Sequence, residues 1–412
     1  FSGEAFRFLC SKTPEMRERN YYENIVIRED FAKELKTFRL GPLLRARYDE
    51  LFEDLFRADR GIQIRRGLWG FALGACSSIF LYCAIFWVVS EAMAGRITIG
   101  AMTMYLVLFR QGQNAVSGAL TSIGSLYENG LFLSNLSAFL AIPVSTPSGG
   151  YRVGLDSDDG LRFEEVCFTY PGSKSPALDR VSFHLRPGHQ LALVGDNGSG
   201  KTTLVKLLCR LYSPDSGRIF LHGRDLEEWD IDVLHSRLAI IFQDFLRYKL
   251  TAGENIGVGD VEHVEDQARW VKAAELGLAT DVVESLPNGY DTRLGKAFKG
   301  GYELSGGQWQ KMALARLFMR PDADLFVLDE PTAAVDAESE VRIFDHVRAV
   351  TRGRMTILIS HRLSAPRVSD QIIVLSHGRI IEQGRHEELM ELGGRYAELF
   401  ELPSTANLRV FL

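Results

Sequence analysis

Cysteine is scarce and scattered. The five in 412 residues are Cys10, Cys76, Cys83, Cys167 and Cys209, and no two of them form a C-x-x-C pair. That spacing excludes a disulfide framework and a cysteine-built zinc site, and it fits a reducing compartment. A basic excess is also missing: 47 Lys and Arg stand against 53 Asp and Glu, a formal net charge of −6. No nucleic-acid partner is expected from that balance. The chain begins at Phe1, inside a helical pattern and not at Met. The expectation is that a segment precedes it, and the lack of a leader then carries no information about sorting. The length allows two or three domains.

Charge is absent for a long stretch. Residues 1–66 are charged and helix-prone, with Gly41-Pro42 reading as a turn between two helices. From Gly67 to Ser90 there is no charged residue, and the run continues through Phe80-Leu81-Tyr82-Cys83-Ala84-Ile85-Phe86-Trp87-Val88-Val89. About 20 apolar residues cross a bilayer, so residues 67–90 are expected to span one. Arg57, Arg60, Arg65 and Arg66 precede the run and place that end in the cytoplasm. A second, less clean span is expected at about residues 97–118, rich in small residues such as Ala115, Ser117, Gly118 and Ala119. Arg110 would lie at membrane depth there, facing either a translocation path or a structural ion-pair partner. Residues 141–160 hold Pro143, Pro147, Gly149, Gly150 and an Asp-Ser-Asp-Asp run, the composition of a linker.

A soluble domain is expected over 161–403, and its chemistry centres on Gly195-Asp196-Asn197-Gly198-Ser199-Gly200-Lys201-Thr202. An apolar strand pattern, Leu191-Ala192-Leu193-Val194, precedes this G-x-x-x-x-G-K-[ST] run, and a helical pattern follows it. Glycines permit the tight backbone curl. The curled amides then meet phosphate oxygens at a helix N-terminus, where the dipole favours negative charge. Lys201 would reach the β- and γ-phosphates, and Thr202 would put its hydroxyl on Mg²⁺. Leu325-Phe326-Val327-Leu328-Asp329-Glu330 reads as a buried apolar strand ending in two carboxylates. Asp329 is placed for the Mg²⁺ shell, and Glu330 for orienting or deprotonating the attacking water. Leu304-Ser305-Gly306-Gly307-Gln308 is a second glycine-rich turn opening a helix. Strand patterns also stand at 161–166, 181–185, 218–221, 239–242, 356–359 and 371–375, with mostly helical patterns at 244–320. Alternating strands and helices around a phosphate loop predict a three-layer α/β fold with a largely parallel sheet.

Taken together and in order, these residues resemble the ATP-binding-cassette exporters with fused membrane and nucleotide-binding parts, over almost the whole chain. Gly195 to Thr202 is similar to the Walker A motif, Leu304 to Gln308 to the LSGGQ signature, and Leu325 to Glu330 to the Walker B motif. Gln243 resembles the glutamine of the Q-loop, His361 the switch histidine, and Tyr170 the aromatic that stacks on adenine. The resemblance implies an α/β P-loop NTPase fold, an ABC-type nucleotide-binding domain with a helical subdomain, preceded by an all-α partial transmembrane domain, and ATP and Mg²⁺ as cofactors. It implies nucleotide contacts from Tyr170, Gly195, Asn197, Gly198, Ser199, Gly200, Lys201, Thr202 and Thr203. From a second copy it implies contacts by Ser305, Gly307, Gln308 and Asp336. Gln243 would join Thr202 and Asp329 at the metal and link the site to the membrane part, and Glu330, His361, Lys201 and Gln243 would carry catalysis.

Two departures from the family pattern stand out. Ala333-Ala334-Val335-Asp336 replaces a stretch usually close to Ser-Ala-Leu-Asp, with Asp336 kept. Gly295 to Glu303 replaces an acidic loop, and with Trp309 this is closer to the exporters of lantibiotic-type peptides. The implied function is ATP-driven export through a half-transporter that pairs with a second one, surrounded by membrane lipid; homodimer and heterodimer are both open, with the homodimer favoured. The implied cargo is a peptide, a lipid or a hydrophobic compound, and the implied site is the plasma or inner membrane with the nucleotide-binding domain in the cytoplasm. The rival reading is a soluble or regulatory ABC-type ATPase that transports nothing, and the uncharged run from Gly67 to Ser90 weighs against it.

Overall fold

The computed structural model describes residues 12–28, 31–142, 149–296, 298–331, 337–360 and 366–406. The chain divides into two compact units, Phe1–Ser145 and Thr146–Leu412.

The first unit is helical: α1 (Thr13–Ile27), α2 (Ala32–Thr37), α3 (Gly41–Met93) and α4 (Ile99–Leu140). Gly41 and Pro42 belong to the first turn of α3, where a missing N–H is harmless, so the turn itself lies just before them. At 53 residues α3 is roughly 80 Å long by its rise per residue. Tyr22 of α1 and Leu44 and Leu55 of α3 are the buried residues of this unit's helices. Among the described residues α3 is the one helix long and apolar enough to cross a membrane, and that window is 6% buried. The helix that carries the expected second span, α4, continues past it to Leu140, because no proline interrupts it and isolated glycines only weaken a helix. Its Arg110, Gln111, Gln113 and Asn114 reduce its apolar character. Gln113 Nε2 donates to Ser77 Oγ of α3 at 2.8 Å, and Arg110 is exposed.

The second unit holds two sheets. The first is antiparallel, in the order β2-β1-β4-β5, from β1 (Leu161–Phe168), β2 (Leu178–Leu185), β4 (Ser216–Leu221) and β5 (Arg224–Asp225). The second has six strands in the order β10-β9-β3-β8-β7-β6. They are β3 (Gln190–Gly195), β6 (Leu238–Ile241), β7 (Leu325–Asp329), β8 (Met355–Ile359), β9 (Gln371–Ser376) and β10 (Arg379–Gly384). The inner pairs are parallel and β10 is an antiparallel edge. The expected parallel sheet is therefore present, and a separate antiparallel sheet stands beside it. The strand pattern of β1 and β2 was visible in the sequence, but their partners were not.

Burial follows the two-residue period of a strand. Leu191 and Leu193 of β3 join a core with Leu161, Phe163 and the helix α5 (Lys201–Leu208). Ala192 and Val194 face the other way, into a core with Leu389 and Tyr396 from α12 (His386–Leu392) and α13 (Arg395–Ala406). Strands β3, β7 and β8 are buried throughout, as expected of strands covered on both faces. A third core gathers α7 (Ala252–Gly257), α8 (Gln267–Leu276), α9 (Thr280–Glu284) and α10 (Gly306–Leu317), the helical subdomain, against β6 and β7. Part of the stretch with linker composition is tied to this unit. Arg224 lies 3.7 Å from the Tyr151 ring centroid and donates to the Val153 carbonyl at 2.8 Å.

Candidate functional site

The phosphate loop connects the end of β3 to α5, and its conformation explains its glycines. Gly195, Gly198 and Gly200 have φ of 150°, 77° and 111°. A Cβ on Gly195 would lie 2.1 Å from the Leu375 carbonyl oxygen, and one on Gly200 would lie 2.8 Å from that of Ala177. Only glycine fits both places. Gly200 is the N-cap of α5 and has no side chain to occupy the first amides of that helix. The hairpin between β9 and β10 braces the loop, with Gly378 N donating to the Ser199 carbonyl at 3.0 Å.

Lys201 is 5% exposed, and its Nζ donates to the carbonyls of Gly195 at 2.8 Å and Asp196 at 2.9 Å. Burial pushes its pKa below the usual lysine value, against the opposing pull of Glu330, Asp329 and Asp196. Thr202 Oγ1 donates to Asp329 Oδ2 at 2.9 Å. Asp329 is fully buried at the end of β7, one residue before Glu330. Glu330 has a left-handed backbone, φ 50°, held by its N–H on the Ile359 carbonyl at 3.0 Å. Such a conformation is strained for a non-glycine residue and is found at sites where geometry matters. Gln243 Nε2 donates to Glu330 Oε2 at 2.6 Å. A cleft of about 520 Å³ is lined by Tyr170, Asn197 to Thr203, Gln243 and Glu330. Two hard-oxygen donors are paired here: the Thr202 hydroxyl lines the cleft, and the Asp329 carboxylate that accepts from it is buried behind. That donor set suits Mg²⁺, which takes one or two carboxylates and completes its shell with water and phosphate.

Tyr170 borders the cleft half-buried. Its hydroxyl is 3.2 Å from Thr203 Oγ1, and the Lys206 ammonium sits over its ring at 5.4 Å. Phe168 and Tyr212 meet it edge-on at 4.9 and 5.4 Å. The sequence reading missed Ser173, Ser175, Pro176 and Ala177, which line the same cleft. Their signal was the short Pro171-Gly172 turn after Tyr170, which carries no chemistry of its own.

The signature residues are elsewhere. Ser305, Gly307 and Gln308 do not line the cleft. Ser305 is the N-cap of α10 and forms a capping box: Gln308 N donates to Ser305 Oγ at 3.3 Å, and Ser305 N donates to Gln308 Oε1 at 2.9 Å. Behind it Trp309, Met312 and Leu314 are buried in the helical-subdomain core. Asp336 and His361 lie outside the described residues.

Residues 178–333 match the family model described as ABC transporter. Over 406 residues the chain is 32% identical to the subtilin transport ATP-binding protein SpaT of Bacillus subtilis, covering 98% of this chain and 66% of that protein. The chain belongs to the ABC transporter family. This ABC transporter chain is also 37% identical over 314 residues to the ATP-dependent lipid A-core flippase of Ralstonia nicotianae, covering 76% of this chain and 52% of the flippase. It thus spans between about half and two thirds of the length of these curated relatives. The solved structure of a bacterial Atm1-family ABC exporter with ATP bound superposes with a TM-score of 0.79 at 28% identity. That match covers 98% of this ABC transporter chain and 71% of the exporter chain.

Proposed function

We propose that this chain is the nucleotide-binding domain and last membrane helices of an export half-transporter that hydrolyses ATP at a site completed by a second copy. The observation that carries the reading is one cleft joining Lys201, the Thr202–Asp329 pair and the Gln243–Glu330 pair, while the capped signature turn stands outside it. A site so divided is complete only when another subunit brings its own Ser305 and Gly307 to the triphosphate, with Gln308 and Asp336 beside them.

The loop amides and Lys201 would grip the phosphates of ATP, and the Tyr170 ring would stack on the adenine. Asn197 to Thr203 would wrap the phosphate chain. Thr202 and Asp329 would hold Mg²⁺, with Gln243 close to it. When bound, the ion neutralises phosphate charge and orients the terminal phosphoryl group. Glu330 would orient the attacking water and take its proton, with Gln243 holding the carboxylate in position and His361 reaching the same phosphate. Closure of two copies on ATP, and their release after hydrolysis, would drive alternating access in the membrane part.

We place the membrane part at residues 1–140, with spans at 67–90 and in the first half of α4. The nucleotide-binding domain at 161–403 would face the cytoplasm from a plasma or inner membrane. The relatives are named for subtilin transport and for a lipid A-core flippase, so the cargo class we propose is an amphipathic peptide or lipid. Homodimerisation is the simplest pairing, because one chain carries both halves of the divided site. The test is ATP hydrolysis by the complete protein in lipid, with and without panels of peptides and lipids. Stimulation by a cargo class supports export, and hydrolysis indifferent to every cargo and to membrane insertion would sink it.

A further inference from the structure

The last helix reaches back to the phosphate loop. Arg395 opens α13, and its Nη2 donates to both carboxylate oxygens of Asp196 at 3.0 Å each, across 199 residues of sequence. Asp196 is the second residue of the loop, and its carbonyl accepts from Lys201 Nζ at 2.9 Å. One residue therefore touches the Lys201 ammonium through its backbone and the C-terminal helix through its side chain. Arg395 is itself held in place: Nη1 donates to Glu398 Oε2 at 2.9 Å, and its backbone N–H bonds Glu382 of β10. Its neighbour Tyr396 donates its N–H to Glu382 Oε2 at 2.9 Å and is fully buried with Ala192 and Val194 of β3. The strand that leads into the loop and the helix that grips the loop's side chain share one core.

The charges give this contact a purpose. Asp196 puts a carboxylate into a loop whose amides and lysine serve an anion. An uncompensated carboxylate there opposes a triphosphate and draws on the Lys201 ammonium. A guanidinium that engages both carboxylate oxygens offsets the charge and fixes the side chain's direction.

We propose that Arg395 is a positioning residue for nucleotide binding, through which the C-terminal helix sets the affinity of the phosphate loop for Mg-ATP. The proposal rests on the reading that the loop binds a nucleoside triphosphate. The two side chains are 38% and 55% exposed, so solvent screens the pair and the effect is moderate.

The experiment is Mg-ATP titration and steady-state hydrolysis with the complete protein in lipid, at low and high salt. Arg395→Ala raises the Kd and KM for Mg-ATP about three- to fivefold, the range of an exposed ion pair, with kcat little changed. Arg395→Lys recovers part of the loss. The same Arg395→Ala change made on top of Asp196→Asn has no further effect, because no carboxylate remains to be offset. Raising the salt shrinks the Arg395→Ala penalty. An unaltered KM in Arg395→Ala overturns the proposal. So does a penalty that is the same with and without the Asp196→Asn change, or a loss confined to kcat and melting temperature. If the unmodified protein bound Mg-ATP no better than Lys201→Ala, the nucleotide reading itself would fall with it.

Discussion

The phosphate loop and the signature turn look alike in sequence and differ in construction. Both are glycine-rich turns that open a helix. The phosphate loop leaves α5 without a side-chain cap, and carbonyls of its own backbone bind Lys201 instead. The signature turn closes itself, with Ser305 and Gln308 satisfying each other's amides. An uncapped helix end leaves its first amides to an anion of the same chain's cleft, whereas in the capped turn Ser305 and Gln308 already hold two amides in place before any second copy arrives. The glycine motif alone does not separate the two; the hydrogen bonds that surround it do.

The comparison breaks most sharply at Glu330. Glu330→Gln should bind ATP and bring two copies together while hydrolysing about 10²- to 10⁴-fold more slowly, the range of a lost general base. Near-normal turnover in that variant would remove Glu330 from its role. Next in size is Lys201→Ala. Losing a charge-assisted contact of ~1.5–3 kcal/mol should weaken Mg-ATP binding by one to two orders of magnitude. Unaltered affinity in an equilibrium titration would end the phosphate-loop assignment.

Ser305→Ala sharpens the contrast from the other side. It removes a helix cap, so thermal unfolding should show a loss of about 1 kcal/mol, with hydrolysis reduced. Its affinity for ATP in a single subunit should not move. A fall in that affinity with no change in stability would mean that the turn serves its own cleft. The smallest effect is expected from Tyr170→Phe, which keeps the ring and loses the contact with Thr203. A net hydrogen bond is worth about 0.5–1.5 kcal/mol, so the KM for ATP should rise by about twofold and at most about tenfold. A larger rise than for Tyr170→Ala would deny the ring its stacking role.

How much was legible depended on distance along the chain. The phosphate loop, the β7 carboxylates and the capping turn are local, and each lies within eight consecutive residues. Gln243 and Glu330 are 87 residues apart, and no local pattern announces that their side chains meet at 2.6 Å. The antiparallel sheet was hidden for the same reason. Its strands alternate as any half-buried strand does, and alternation does not name a partner. The length of α4 was hidden because hydropathy marks where a helix is apolar and carries no signal for where an evenly mixed helix ends.

By its residues alone this chain determined where phosphate chemistry can occur, because curled backbone, uncapped helix and buried carboxylates each require particular side chains in succession. It also determined that one long segment tolerates no water-seeking charge. Tertiary structure decided which groups work together. Folding brought Gln243 to Glu330 and Arg395 to Asp196, and it kept Ser305 out of the cleft whose phosphate loop its own turn mimics in sequence. The reason is physical: a hydrogen bond depends on where its two atoms lie in space, and only the packed cores set those positions.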